Sequence, residues 1–320
     1  MSRQRASSSQ NQPPPTPEDL AFRRNYRDIS TKDVLSTAIL DFELMESMGI
    51  LDEFNRLTHR VGFREGFWII PTHCRAYVEA TKEFLASLIL YEDSEGGHYI
   101  EFRIQGQHHT VTLQRMRRWF HFASPRTAHF GYGPDTEDQT ATRDSFWYQI
   151  TSQHLPAVLP DPRVKAIIHP ALRVICRSLG FSIFARGESN LRPAHDELKM
   201  LATMLRPDDQ LERPDLMLLM VRHWLGIQGH GKKGGVLTCG SYVTRICRKL
   251  NIDLSEDHEC PPPRTIDLRA IRSYGWVTFS RATHTEPARF TWLTETQGSF
   301  VLPIATPILF DDDRSWRLEI

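Results

Sequence analysis

HYIEFRIQGQHHTVTLQRMRRWFHF, residues 98–122, changes its hydrophobic period partway along. Up to Ile104 it alternates, with Ile100, Phe102 and Ile104 on one side and Tyr99, Glu101 and Arg103 on the other. Period two is the spacing of a half-buried strand. A connection containing Gly106 leads to Thr110, Val111, Thr112 and Leu113, so the stretch predicts a β-hairpin. From Leu113 the spacing becomes helical. Leu113, Met116 and Phe120 fall on one stripe, and Arg115, Arg117 and Arg118 lie largely off it.

Working outward, the flanking segments read as helices. Upstream, Tyr77, Ala80, Phe84 and Leu88 predict a helix over 74–91. Further upstream, Thr31 is placed to cap a helix carrying Val34, Leu35, Ala38, Ile39, Phe42 and Met45, with a restart after Gly49 through Leu51, Phe54 and Leu57. Downstream, residues 163–250 give a helix begun or kinked by Pro170, a second after Pro193, a third with Pro214 in its first turn, and a fourth resuming at Val236. The expected fold is therefore mainly α: a multi-helix globular domain with one small β-hairpin, a disordered N-terminus and an irregular, extended C-terminal segment. The Ser-, Gln- and Pro-rich start sets the boundaries at 1–30 for the head, 31–252 for the helical domain with an internal loop at 123–142, and 253–320 for the extension.

Composition removes several classes of function. The chain has 320 residues, 40% hydrophobic and 24% charged, which is enough for a sizeable core. No apolar run approaches the roughly 20 residues of a membrane span, and the N-terminus has no secretory h-region, so an intracellular protein without a membrane partner is expected, in the nucleus or cytoplasm. Five cysteines at wide spacings with no CxxC read as reduced thiols.

Reactive motifs fail on chemistry. Gly226–Lys232 fits GxxxxGK, but a P-loop next needs Ser or Thr for magnesium, and Lys233 stands there. His73–Cys74 has no second pair to complete a zinc site, and His108 and His109 on a strand face opposite ways. There is no GxSxG, and Cys176 sits in a helical pattern as a packed thiol. No catalytic residue, metal or cofactor is expected.

What remains is charge patterning. The net charge is zero, with 39 basic and 39 acidic residues, and 32 of the basic residues are Arg. The total hides a segregation. Residues 102–134 and 222–252 contain Lys and Arg but no acid, whereas 33–55 contain six acids and no Lys or Arg. Arg115, Arg117, Arg118, Lys232, Lys233, Arg245, Arg248 and Lys249 are the candidate nucleic-acid contacts. Trp119, Phe120 and Trp224 interleave with them, and serve either as stacking platforms for single-stranded nucleic acid or as core positions of the same helices.

One resemblance covers much of the chain. EFLASLILYED (83–93), the hairpin at 98–116, IIHPALRVICRSLGFSIFARGESN (167–190), HDELKML (195–201) and KKGGVLTCGSYVTRICRKLNI (232–252) occur in an order that resembles the Athila-type plant LTR retrotransposon first-open-reading-frame protein, also called a plant transposon protein domain. The resemblance spans roughly residues 60–252 and implies a non-enzymatic product in the capsid or gag position. Self-association and binding of element RNA are the implied activities, with the chain itself and single-stranded nucleic acid as partners. A host-retained protein-interaction module is the alternative, and an enzyme of unrecognised type stands behind both.

Overall fold

A computed structural model describes residues 16–127, 139–153, 163–186, 192–228, 235–281, 284, 289–296 and 298–303, with strand pieces at 309–310 and 316–317. The chain enters on α1 (Pro17–Ser30). The Asp19 amide donates to the Thr16 hydroxyl at 3.1 Å, and the Thr16 amide donates back to the Asp19 carboxylate at 3.2 Å. This capping box, with Pro17 at the first helical position, fixes the helix start. Helix thus replaces the disordered head from Pro17 onward. Phe22 and Tyr26 pack on the core, and Asp19 holds Arg103 at 2.7 Å.

The helix expected from Thr31 is overturned. Thr31 ends α1, and Val34 and Leu40 lie in β1 (Asp33–Val34) and β2 (Ile39–Leu40). Their partners are remote: β1 runs parallel to residues 236–237 and β2 to 265–266. Helix begins at α2 (Phe42–Ser47), capped by Asp41, and restarts as expected in α3 (Leu51–Val61), which buries Phe54, Leu57 and Val61. Two single turns follow, α4 (Glu65–Trp68) and α5 (Ile70–His73).

Helix α6 (Val78–Ser87) lies at the centre of this half, against α1. It stops at Ser87, short of Tyr91, because residues 89–92 form β3 (Ile89–Glu92). This strand pairs antiparallel with β4 (His98–Ile104), which pairs with β5 (Gln107–Thr112). Gln105 and Gly106 have φ of 53° and 72°, the doubly left-handed pattern of a two-residue hairpin turn. The expected hairpin is therefore two strands of a three-stranded sheet. Phe102 on its inner face meets Phe84 of α6 at 4.9 Å between ring centroids. Each such fully buried Phe contributes about 2–3 kcal/mol of apolar burial.

Helix α7 (Leu113–Trp119) follows directly, capped by Thr112. Then come α8 (Gln139–Thr151), α9 (Pro170–Phe181), α10 (His195–Leu205) and α11 (Leu216–Ile227). Pro214 lies outside α11. Asp215 is the cap, accepting from the Met217 and Leu218 amides, and Pro214 bridges to Thr127. The stretch at Val236 is strand β6 (Val236–Leu237), and α12 (Gly240–Lys249) starts four residues later than expected. Gly240 is required at that start, since a Cβ there would sit 2.4 Å from the Ala76 Cβ.

Residues beyond 252 complete the core. Strand β7 (Thr265–Ile266), α13 (Leu268–Ser273) and the antiparallel strands β8 (Val277–Ser280), β9 (Arg289–Leu293) and β10 (Ser299–Leu302) bring Trp276, Trp292 and Leu302 into the hydrophobic cluster that also contains Ile29 and Phe54. A short pair, β11 (Leu309–Phe310) with β12 (Trp316–Arg317), follows. About half of the described residues are helical and 17% are strand, in two three-stranded sheets and three two-stranded pairs. The fold is therefore mixed α/β, not mainly α with one hairpin. The difference arises from strand pairs such as β1–β6 and β2–β7, whose partners lie some two hundred residues apart.

Every residue of α9 is buried, including two arginines. Arg173 donates to the Ile167 carbonyl through Nε (2.8 Å) and Nη2 (2.5 Å), and to the Leu293 carbonyl through Nη1 (2.9 Å). Its guanidinium lies 4.5 Å from the Trp292 ring and 5.7 Å from Trp276. Carbonyl dipoles and aromatic faces thus solvate this cation, although burial still lowers its pKa to about 9. Arg177, one turn on, lies over Phe181 and Tyr274. The C-terminal sheet is fastened to α9 by these contacts.

Candidate nucleic-acid interface

The two acid-free stretches meet where α7 ends against α12. Arg245 donates from Nε to the Trp119 carbonyl at 3.3 Å, and its Nη2 lies 3.4 Å from His121 Nε2. Arg248 donates to the His73 carbonyl at 2.5 Å and otherwise faces solvent. Arg115, Arg118 and Lys249 are exposed, and Arg115 lies over the half-buried Trp119 ring at 4.9 Å. Arg118 and Lys249 make no ion pair among the described residues.

Sequence reasoning did not select His121, which sits between the two helices at φ 56°. Burial lowers its pKa first, and the Arg245 and Lys249 charges lower it further. Both effects favour the neutral imidazole beside these cations.

The other candidates divide. Arg117 turns inward and clasps Asp215, the cap of α11, with Nε at 3.2 Å from Oδ1 and Nη2 on Oδ2. That carboxylate also accepts two helix amides, so Arg117 anchors α11 and its charge is already matched. Lys232 and Lys233 lie outside the described residues. The segment before their GxxxxGK motif is helix α11, where a P-loop needs a strand.

Two of the three interleaved aromatics are not part of this surface. Phe120 is buried against Tyr242 and Phe122, and Trp224 is buried against Phe84. Of the three, only Trp119 reaches solvent, beneath Arg115. Cations aimed at solvent with few stacking faces suit phosphates better than bases.

Elsewhere the chemistry is quiet. All five cysteines are buried free thiols, and burial pushes Cys239 and Cys247 up to about 12. One polar cluster inside the fold is Glu197 with Arg186 at 2.7 Å and Cys176 at 4.0 Å. Glu197 also accepts from the Ala194 amide at 2.8 Å, so its carboxylate serves as part of the α10 cap. Among the described residues no group of three His, Cys, Asp or Glu could hold a metal ion, and no helix is long and apolar enough to cross a membrane.

These features define a mixed α/β protein with a cationic edge built from α7 and α12. The profile of the ATHILA ORF-1 family matches residues 3–312, nearly the whole chain, and the chain belongs to that family. It is a retrotransposon-derived, gag-like plant protein, in a family of structural proteins that is not a known enzyme family. The match extends well past the 60–252 resemblance read from the sequence, into both α1 and the C-terminal sheet. No curated protein and no solved structure matches the chain.

Proposed function

We propose that this gag-like protein binds element RNA through its phosphates, using the α7–α12 edge. The observation that carries the reading is the junction at Trp119 and His121, where Arg245 ties two cationic, acid-free segments together and Arg118 and Lys249 stay unmatched beside it. Contacts to phosphate release counterions, so affinity for single-stranded RNA falls by about 0.7 log units per contact for each tenfold rise in salt. Retention of a single-stranded RNA by the purified chain at low salt, lost at high salt, is the expected result. No retention even at low salt rejects the reading.

A specific observation also favours self-association. Of the six acids in 33–55, Glu53 is spent on Arg56 at 2.6 Å, Asp41 caps α2 and Asp33 lies in β1, but Glu43, Glu46 and Asp52 are exposed on α2 and α3 and make no ion pair among the described residues. An acidic α2–α3 surface on one copy complements the cationic edge of another. Light scattering distinguishes the outcomes. Salt-sensitive assemblies support self-association, and a monomer at all concentrations favours the host-retained interaction module.

A further inference from the structure

A second cationic group lies beyond the α7–α12 edge. Arg64 follows the C-terminus of α3, Arg126 follows α7, and Arg213 precedes α11, yet the backbone brings them together. The Arg126 and Thr127 amides both donate to the Arg213 carbonyl, at 2.8 and 3.2 Å, and the Ala123 amide donates to the Gly62 carbonyl at 2.8 Å. The Arg213 stem lies along Gly62, its Cδ 2.9 Å from where a Cβ would stand, so Gly62, left-handed at φ 107°, is needed for this approach. The Arg213 Nη1 donates to the Ser124 carbonyl at 3.3 Å, while its Nε is buried without a hydrogen-bond partner among the described residues.

Arg64 and Arg126 are exposed, and none of the three makes an ion pair among the described residues. Burial lowers the Arg213 pKa, and the Arg126 and Arg64 charges lower it further, so the three cations share one neighbourhood. Like charges gathered this way, with a buried donor unused, are an arrangement that a bound anion stabilises.

We infer that Arg64, Arg126 and Arg213 form a binding site for a phosphate group. A guanidinium fork matches two phosphate oxygens at once, and Arg64 and Arg126 present theirs to solvent beside Arg213, whose buried Nε–H has no partner among the described residues. The phosphate comes either from a nucleic-acid backbone or from a small free phosphate. In the first case the site extends the proposed RNA path, since the 62–66 segment also touches the other edge. There, a Cβ on Gly66 would meet the His121 ring at 2.6 Å.

The test titrates the full chain with pyrophosphate, and separately with a single-stranded RNA, at low salt by calorimetry. An Arg64→Gln/Arg126→Gln variant removes two exposed side chains and is expected to keep its circular dichroism and melting temperature. Pyrophosphate should bind the wild type, shift the Arg213 Nε–H resonance, and bind the double variant about tenfold or more weakly. Arg118→Gln/Lys249→Gln should leave pyrophosphate binding unchanged while weakening RNA, which separates this site from the α7–α12 edge. If RNA but not pyrophosphate is weakened by Arg64→Gln/Arg126→Gln, the site takes backbone phosphate only. Failure of both ligands to respond to Arg64→Gln/Arg126→Gln overturns the proposal, whatever happens at the other edge.

Discussion

RMRRW in α7 and LRVICRS in α9 are both short helical pieces with arginines among apolar residues, and they come to opposite ends. In α7 the arginines sit at the end of a seven-residue helix whose other side alone is covered, so Arg115 and Arg118 remain in water. In α9 the C-terminal sheet closes over the arginine side as well, and Arg173 and Arg177 are wrapped by Trp276, Trp292, Phe181 and Tyr274. Arg117 is intermediate, within α7 but matched to Asp215. An excess of arginine is therefore not in itself a nucleic-acid signature. Some of these cations hold the fold, and only those left unmatched at the surface are available to a ligand.

Removing each kind in turn should break the two regions differently. The largest effect is expected at Arg173. Arg173→Ala leaves the Ile167 and Leu293 carbonyls unpaired and opens a cavity between Trp276 and Trp292, costing about 3–5 kcal/mol. Urea unfolding followed by tryptophan fluorescence measures this, and a loss under about 1 kcal/mol would mean that the guanidinium is not the fastening.

Acid should loosen the same region before the cationic edge. His169 caps α9, its Nδ1 accepting from the Ala171 amide at 3.2 Å, and burial holds its pKa near about 3 against an ordinary 6.5. The unfolded chain takes up the proton first. The contribution of a neutral His169 is therefore complete above pH 6.5 and is lost as pH falls towards 3, by up to about 1.4 kcal/mol per unit. His169→Asn keeps a capping oxygen and removes the titration. Unfolding midpoints between pH 7 and 5 should slope less steeply in this variant, and an unchanged slope would assign the acid sensitivity elsewhere.

Asp215 tests the intermediate case. Asp215→Ala removes both the α11 cap and the partner of Arg117, at a cost of about 1–3 kcal/mol, and Asp215→Asn should recover part of that by restoring the cap alone. Equal melting temperatures for the two variants would show that the ion pair, not the cap, carries the effect. The smallest change in stability is expected at the edge itself. Arg118→Gln/Lys249→Gln should shift unfolding by less than about 0.5 kcal/mol, because neither side chain has an ion-pair partner to lose among the described residues.

Local chemistry decided what could be read in advance. The hairpin was legible because its alternation and its Gln105–Gly106 turn lie within fifteen residues. The helices after Pro170 and Gly49 were legible for the same reason. Val34 and Ile39 were misread as helix because their spacing fits that period, while what fixes them is pairing with Leu237 and Thr265 far along the chain. Ile89–Glu92 was absorbed into the preceding helix, since a four-residue apolar strand abutting a helix has no period of its own. The two basic segments were visible as segments. Nothing in their spacing distinguished Arg117, aimed at Asp215, from Arg118, aimed at water. Nor could it bring Arg64, Arg126 and Arg213 together, because each lies on a different connection.

The central claim is that unmatched surface arginine and lysine, rather than arginine content, bind RNA. Its most direct test is the slope of log affinity for single-stranded RNA against log salt, in the wild type and in Arg118→Gln/Lys249→Gln. Two lost phosphate contacts should lower the slope by about 1.4 in magnitude, with unfolding unchanged. The same slope in both proteins, or no RNA binding by the folded wild type at low salt, would contradict it.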